Sequence, residues 1–380
     1  MSSILQYNFP TTIRFGAGAV NELGDYLKKN NLNSPLIVTD PVVATLDFFK
    51  KITKDLISKN IGVTVFSDIH KNPVKSDVYK GTDVYDAEKN DCIIGIGGGA
   101  AIDVARAIVL RVNHREDLFK YDDLIGGDVY VTNDVPHFIT IPTTAGTGSE
   151  VGRSAIIADD ITHQKKILFS PKLLAKIIFA DPMLTMELPA AVTAATGMDA
   201  LTHNMEAYIA KMSHPLCEGI ALEAISLIHQ SIEQAVNQPD LKSRSNMMIA
   251  SLMGAVAFQK GLGVVHSLAH PLSSLLDTHH GLANAVNLPY GMEFNIEGSE
   301  DKFRRIARTL ELKEENGLGV VNYLFELNNN INIPHKLSSI GVKEEHLNTL
   351  ADLAIADFAH PNNPKPVTRT DFYNLYSKAL

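Results

Sequence analysis

The chain changes character near residue 186, and this constrains its fold more than any other feature. Before that point, short β-rich runs alternate with helical stretches. PLIVTD (35–40), VTVFSD (63–68), DCIIGIGGG (91–99) and HFITIPTT (137–144) read as strands. Strand, helix, strand in this rhythm predicts a mostly parallel sheet covered by helices. LIV, CIIGI and FITI are continuously apolar, as strands buried on both faces are. After residue 186, ELPAAVTAATGMDALTHNMEAYIA, EGIALEAISLIHQSIEQAV, SNMMIASLMGAVAF and KFRRIARTLEL carry helical spacing, and no run reads as a strand. Pro182 and Pro189 punctuate the boundary. The expectation is an α/β domain over 1–185 and an all-helical domain over 186–380, with a ligand cleft between them.

Bulk properties narrow the function classes. Hydrophobic residues make up 45% and charged residues 20%, a globular balance. A net charge of −9 argues against nucleic acid or an anionic membrane as partner. No apolar run is long enough to span a bilayer. The opening MSSILQYNFPTTIRFG lacks the basic and apolar regions of a secretory signal. Two isolated cysteines, Cys92 and Cys217, fit a reduced, cytoplasmic protein and speak against a cysteine-rich zinc site.

Four side chains in the second half have metal-ligand character. Asp199 and His203 lie four apart in GMDALTHNMEAY, so a helix projects both from one face. His266 opens HSLAHP, and His280 stands in DTHHGLANA. Three imidazoles and one carboxylate suit Fe²⁺ or Zn²⁺ better than Mg²⁺ or Ca²⁺. The bland alternative is a hydrogen-bonded pair on a helix surface. His270, four after His266, extends the cluster. His70, His114, His137, His163, His214, His229, His335, His346 and His360 read as ordinary surface or core residues.

The first half offers phosphate-binding chemistry. Gly97, Gly98 and Gly99 follow an apolar strand and precede a helix start, where backbone N–H groups and the helix dipole favour anions. A ribose-binding acid about 20 residues further on, at a second strand's end, is missing, so the dinucleotide fingerprint is incomplete. Asp40, at the end of PLIVTD, has the right chemistry but lies earlier in the chain. It could accept from a ribose 2′-OH and repel a 2′-phosphate, or simply cap a turn. TTAGTGSE (143–150) is either a second phosphate or nicotinamide loop or a polar turn. No P-loop pattern occurs, which excludes the common ATPase and kinase signature.

Six stretches together resemble the iron-activated (group III) alcohol dehydrogenases: IGGGAAIDVARAI, ITIPTTAGTGSEV, FADPMLTMELP, GMDALTHNMEAY, GLGVVHSLAHPL and HHGLANAVNLPY. FGAGAVNELG near the N-terminus also fits. The resemblance implies a nucleotide-binding α/β domain, a helical metal domain of the dehydroquinate-synthase-like kind, NAD(P) dependence and a homo-oligomer, commonly a dimer. It places the metal ligands on Asp199, His203, His266 and His280, and a catalytic proton-relay or substrate-orienting role on His270. The alternative for His270 is that it only holds another ligand in place. Cofactor contacts fall on Asp40, Asn72, Gly97, Gly98, Gly99, Asp103, Thr143, Thr144, Thr147 and Lys165, with Lys166 as the register alternative. The Asp40 carboxylate favours NAD over NADP, and Fe²⁺ is the expected ion, although the ligand set accepts Zn²⁺ as well.

Departures from the family pattern shape the substrate reading. Ala100 replaces a usual serine, Arg106 a usual lysine and Ser273 a usual glycine. Arg153 and Lys260 stand in segments that resemble the borders of the substrate cleft. Two cations there could bind a carboxylate, which points to a short hydroxy acid such as 4-hydroxybutyrate and its semialdehyde. The alternative is a neutral alcohol or diol dehydrogenase of the 1,3-propanediol, lactaldehyde or butanol type, with one or both cations at the surface or on a cofactor phosphate. A metal-bound nucleotide sensor without turnover is the non-enzyme alternative. In the enzyme, a bound divalent cation would draw charge from an alcohol oxygen and ease hydride loss to nicotinamide C4.

Overall fold

The computed structural model describes residues 11–380; the sequence reading of residues 1–10 lies outside them. The chain divides into two compact units. One holds the described residues up to Thr144 together with Ser149–Thr185, and the other holds Ala145–Gly148 and Met186–Leu380. The four residues Ala145–Gly148 thus group with the helical part although they precede it in sequence.

The first unit is built on a six-stranded sheet. Its strands are β1 (Thr12–Phe15), β2 (Pro35–Val38), β3 (Thr64–Phe66), β4 (Cys92–Gly97), β5 (His137–Pro142) and β8 (Ile177–Ala180). They run in the order β1-β8-β5-β4-β2-β3, and every pair is parallel. All four residues of β2 and all six of β4 are buried, the signature of central strands with both faces covered. The expected strands at 35, 63, 91 and 137 are present. β1 and β8 went unread for different reasons. β1 is an edge strand with three of its four residues exposed, so TIRF carries no apolar run. β8 is only four residues long.

β6 (Ser154–Ala158) and β7 (Lys165–Phe169) form a separate antiparallel hairpin. Arg106, on the Gly99–Asn113 helix, ties this hairpin down. Its fully buried guanidinium donates to the Leu173 carbonyl, Asp103 Oδ1, Ser149 Oγ, the Ser154 carbonyl and, at 2.5 Å, the Ser149 carbonyl. A planar group with five donors can join a helix, a loop and a strand at once, which a lysine could not.

The second unit has helices and no strand among its described residues. Its centre is the Ala190–Ile209 helix, buried on every face from Thr193 to Ile209. A helix buried all round needs small side chains where neighbours cross it. Gly197 meets Met247 and Ile232, and Gly254 of the Leu241–Ala257 helix meets Asn204 and His203. The long run expected at 218–236 is two helices, Pro215–His229 and Ile232–Asn237, broken at Ser231. Among the described residues no single helix is long and apolar enough to cross a membrane.

Candidate metal centre

Three helices deliver the four sequence-predicted ligands to one point. Asp199 and His203 lie one turn apart on the Ala190–Ile209 helix, His266 lies on the Val264–Leu276 helix, and His280 opens the His280–Phe294 helix. One donor atom from each falls within 4.8 Å of the others. Gly281 permits this convergence. A Cβ there would sit 2.3 Å from the Ala195 carbonyl oxygen, so only glycine lets the helix bearing His280 reach the helix bearing Asp199. His203 and His266 stack with ring centroids 4.8 Å apart.

Partners behind the ligands fix their orientation. The His266 Nδ1 lies 2.6 Å from Glu206 Oε2, while Glu206 Oε1 accepts from the Val265 N–H. A carboxylate with its oxygens so used makes His266 Nδ1 the donor and leaves the lone pair on Nε2. Desolvation alone would lower the pKa of His266, but the hydrogen bond and charge of Glu206 outweigh it and the net shift is upward. Burial pushes His203 down to about 4, so its ring stays neutral. Asn284, one turn after His280, donates from Nδ2 to Asp199 Oδ1 at 2.7 Å and lies 3.1 Å from His280 Nε2. Glu206 and Asn284 were not singled out in the sequence. Each had a local signal, since Glu206 is three after His203 and Asn284 four after His280, both on the ligand-bearing face.

This donor set fits a divalent cation. Three imidazole nitrogens and a carboxylate oxygen are packed together in a nearly buried pocket, and the buried amide oxygen of Asn284 has no hydrogen-bond partner among the described residues.

His270 lies beside the cluster rather than in it. Its ring stacks on His280 at 5.3 Å on one side and on Phe358 at 5.3 Å on the other. Its Nδ1 is 2.8 Å from Asp357 Oδ2. Burial would raise the Asp357 carboxyl, but the charge and hydrogen bond of His270, with help from Ser267 and the Ala359 N–H, hold it down at about 2. Phe258 stands 5.1 Å from the His203 ring, giving the centre two aromatic neighbours.

Lys260, a candidate substrate contact, has a fully buried side chain whose Nζ donates to the Tyr208 carbonyl at 2.7 Å and pairs with Glu218 at 3.0 Å. Lys302 donates to the same carbonyl and to that of Ala210. Together the two ammonium groups satisfy the last carbonyls of the Ala190–Ile209 helix, which otherwise lack donors. Burial lowers the pKa of Lys260 to about 8 against the opposing effect of Glu218. Arg153 is half-buried, with its guanidinium 5.4 Å over the Phe169 ring.

In the α/β unit, the nucleotide-binding candidates gather at the C-terminal ends of β2 and β4. From β2 the chain goes outward to β3, then returns to the other side of β2 for β4, so the strand order reverses between them. Open parallel sheets bind ligands outside such a reversal. Asp40 follows β2, and Gly97–Gly99 close β4. The expected spacing of glycines and acid failed because the acid precedes the glycines here, and pairing rather than sequence makes them neighbours. Gly97 has φ +152°, and a Cβ there would be 2.7 Å from Ala101 Cβ and 3.4 Å from Asp40 Oδ2. Asp40 Oδ1 accepts from the Val42 and Val43 N–H groups at 2.9 Å, so it caps a turn while Oδ2 faces the glycines. A Cβ on Gly98 would come within 3.3 Å of Thr144 Oγ1, and the Thr143 N–H donates to the Gly97 carbonyl. Asp40, Gly97, Gly98, Thr143 and Thr144 therefore lie together at the C-terminal ends of β2, β4 and β5.

The remaining cofactor candidates divide. Both Asp103 oxygens are engaged inside the protein, Oδ1 by Ser149 and Arg106 and Oδ2 by the Ile156 N–H, which gives that residue a bracing role. Thr147 belongs to Ala145–Gly148, whose Gly146 carbonyl lies 3.3 Å from His203 Nδ1. Asn72 lies between β3 and the Lys75–Ala87 helix, in the segment whose Pro73 carbonyl receives the Ala158 N–H. Lys166 pairs with the buried Asp122 at 3.2 Å, whereas the charge of Lys165, its neighbour on β7, acts on Asp103.

Comparison with known proteins agrees with this architecture. Residues 10–182 match the family model for iron-containing alcohol dehydrogenases, and residues 193–380 match that for the C-terminal part of the same family. The chain is 34% identical to a 4-hydroxybutyrate dehydrogenase of Cupriavidus necator, covering 97% of this chain and 98% of the relative. It is also 34% identical to an NAD-dependent methanol dehydrogenase of Bacillus methanolicus, covering 98% of each. The crystal structure of a 1,3-propanediol oxidoreductase superposes with a TM-score of 0.95 at 32% identity over 100% of both chains. With matches across both of its parts, the chain belongs to the iron-containing alcohol dehydrogenase family and is a metal-dependent, NAD-linked oxidoreductase of alcohols and aldehydes.

Proposed function

We propose that the enzyme interconverts a short primary alcohol with an uncharged tail and its aldehyde, using Fe²⁺ held by Asp199, His203, His266 and His280. The observation that carries this reading is the aromatic character beside those ligands. Phe258 and Phe358 flank the histidines, while the ammonium of Lys260 is sealed against Glu218 and a helix end. An anionic tail would find no counter-charge from Lys260 and would lose hydration against two rings.

When bound, the cation supplies Lewis acidity toward the substrate oxygen, and NAD supplies the hydride acceptor. The protein's own groups do the rest. Asp199 brings the one anionic ligand, and Asn284 steadies it. Glu206 presents His266 through Nε2. His270 offers an imidazole edge next to the cluster for the hydroxyl proton. Asp40, at the mouth of the glycine turn, favours NAD over NADP because its carboxylate accepts from a 2′-OH and repels a 2′-phosphate. Thr143, Thr144, Thr147, Asn72 and Lys165 complete the cofactor set inferred from the family resemblance. The preference for iron over zinc and the homodimer rest on the same resemblance, and a cytoplasmic location rests on the two isolated cysteines. Reconstitution with each metal and sedimentation of the purified protein test them.

A second reading keeps 4-hydroxybutyrate as substrate. Arg153 favours it, being a partly exposed guanidinium in the segment after the hydroxyl-rich loop, and so does the relative that carries that name. A panel of butanol, 1,3-propanediol, ethanol and 4-hydroxybutyrate separates the two. Higher kcat/KM for the neutral alcohols, with a ratio unmoved by Arg153→Ala, is the expected result. A ratio favouring 4-hydroxybutyrate that collapses in Arg153→Ala establishes the second reading instead.

A further inference from the structure

Asp357 comes from a distant part of the chain and is not one of the four ligands, yet it is held at three points. Its Oδ2 lies 2.8 Å from His270 Nδ1, while Oδ1 accepts from Ser267 Oγ at 2.6 Å and from the Ala359 N–H at 2.9 Å. Ser267 Oγ is itself pinned by the His360 N–H at 2.9 Å. The next residue, Phe358, lays its ring on one face of His270, and His280 covers the other at an interplanar angle of 15°. Although its ring remains 39% exposed, Phe358 is bound to a stack rather than turned into the core.

The Val264–Leu276 helix therefore carries the same device twice. His266 and His270 stand one turn apart, each with a carboxylate on Nδ1, Glu206 in one case and Asp357 in the other. The two rings differ in where Nε2 goes. His266 belongs to the four-residue ligand cluster and His270 does not. A carboxylate on Nδ1 makes that nitrogen the donor and puts the lone pair on Nε2. With both faces of the ring stacked, His270 cannot rotate away from that arrangement.

We propose that Asp357 is a positioning residue for catalysis, holding His270 in the tautomer and orientation that offer Nε2 to the substrate's hydroxyl proton, with Phe358 closing the ring's free face. This rests on the reading of the four-ligand cluster as the catalytic centre. An asparagine at 357 could donate to Nδ1 and reverse the tautomer, so Asp357→Asn removes the function with little change of shape.

The test is a double-mutant cycle on the metal-loaded enzyme, read in kcat, KM, metal stoichiometry and melting temperature. Asp357→Asn is expected to lower kcat about 10- to 100-fold, the usual range for such orienting partners. KM and metal content should hold within about twofold, and Asp357→Glu should recover part of the loss. In the His270→Ala background, Asp357→Asn should cost less than about twofold more, because the group it orients is gone. Should Asp357→Asn fold poorly, Ser267→Ala loosens the same carboxylate and should lose a few-fold in kcat, again only when His270 is present. A loss that persists in full without His270, or one that tracks metal content, overturns the positioning role. If His270→Ala itself leaves kcat intact with metal bound, the role given to His270 fails first, and this inference fails with it.

Discussion

Removing a ligand and removing Lys260 should have opposite signatures. Asp199→Ala or His280→Ala is expected to abolish bound metal and activity together while circular dichroism keeps its helical signal, since the helices have their own buried faces. Retention of stoichiometric metal in either variant contradicts the ligand set. Lys260→Met should instead cost about 1–3 kcal/mol of stability, because carbonyls at a helix end lose a donor and Glu218 loses the nearer of two ammonium groups. It should leave the ratio of kcat/KM between butanol and 4-hydroxybutyrate within twofold, measured side by side. At this scale the sequence was legible where spacing was local. Asp199 and His203 announced themselves at i, i+4. Asp357 did not, since 87 residues separate it from His270 and no periodicity links them. The burial of Lys260 was hidden for the converse reason: a basic residue in a short turn gives no hint that its stem runs inward to a helix end.

Among elements, the short turn Ser149–Val151 carries the clearest pH signal. Glu150 is buried there, with Oε1 lacking a hydrogen bond among the described residues, and desolvation raises its pKa from 4.5 to about 7 despite Arg106. The unfolded chain releases this proton near 4.5, so between 4.5 and 7 the folded state binds more protons and stability falls as pH rises. Above pH 7 the penalty is complete, on the order of 3 kcal/mol. Glu150→Gln should therefore be the more stable protein at pH 8 and no better than wild type at pH 4, as measured by urea denaturation. An equal difference at both values contradicts the burial argument. In the glycine turn, Gly97→Ala should lose NAD binding by at least tenfold in titration calorimetry, because the new Cβ meets Ala101 in a conformation L-residues avoid. The parallel strands were readable because burial on both faces writes a continuous apolar run. The hairpin of β6 and β7 was not, since only part of each five-residue strand is buried, and two of its ties are to Arg106 and Asp103, 48 and 53 residues earlier in the chain.

Across the whole molecule, the division near residue 186 was readable from the change of period, but the assignment of Ala145–Gly148 to the helical unit was not. Those four residues look like a loop closing a strand. Packing claims them: a Cβ on Gly146 would be 2.7 Å from Thr196 and one on Gly148 2.3 Å from Ala255. Because the four ligands join three helices of this unit, an ion that binds only the folded form cross-links them. At a free concentration 100-fold above its dissociation constant it should add about 2.7 kcal/mol. Calorimetry with and without chelator checks this, and hydrogen exchange should place the added protection in residues 186–380. Protection gained only in the α/β unit would contradict a cation in the helical one.

Gly281 carries a consequence for how variants of this enzyme are recognised. A homologue with alanine at that position would retain every ligand in its sequence, yet the helix bearing His280 would be pushed off its neighbour and the four groups would no longer meet. A genome survey that counts only the aspartate and three histidines would score such a chain as an active dehydrogenase, whereas Gly281→Ala is expected to lose bound metal, which metal analysis of that variant checks.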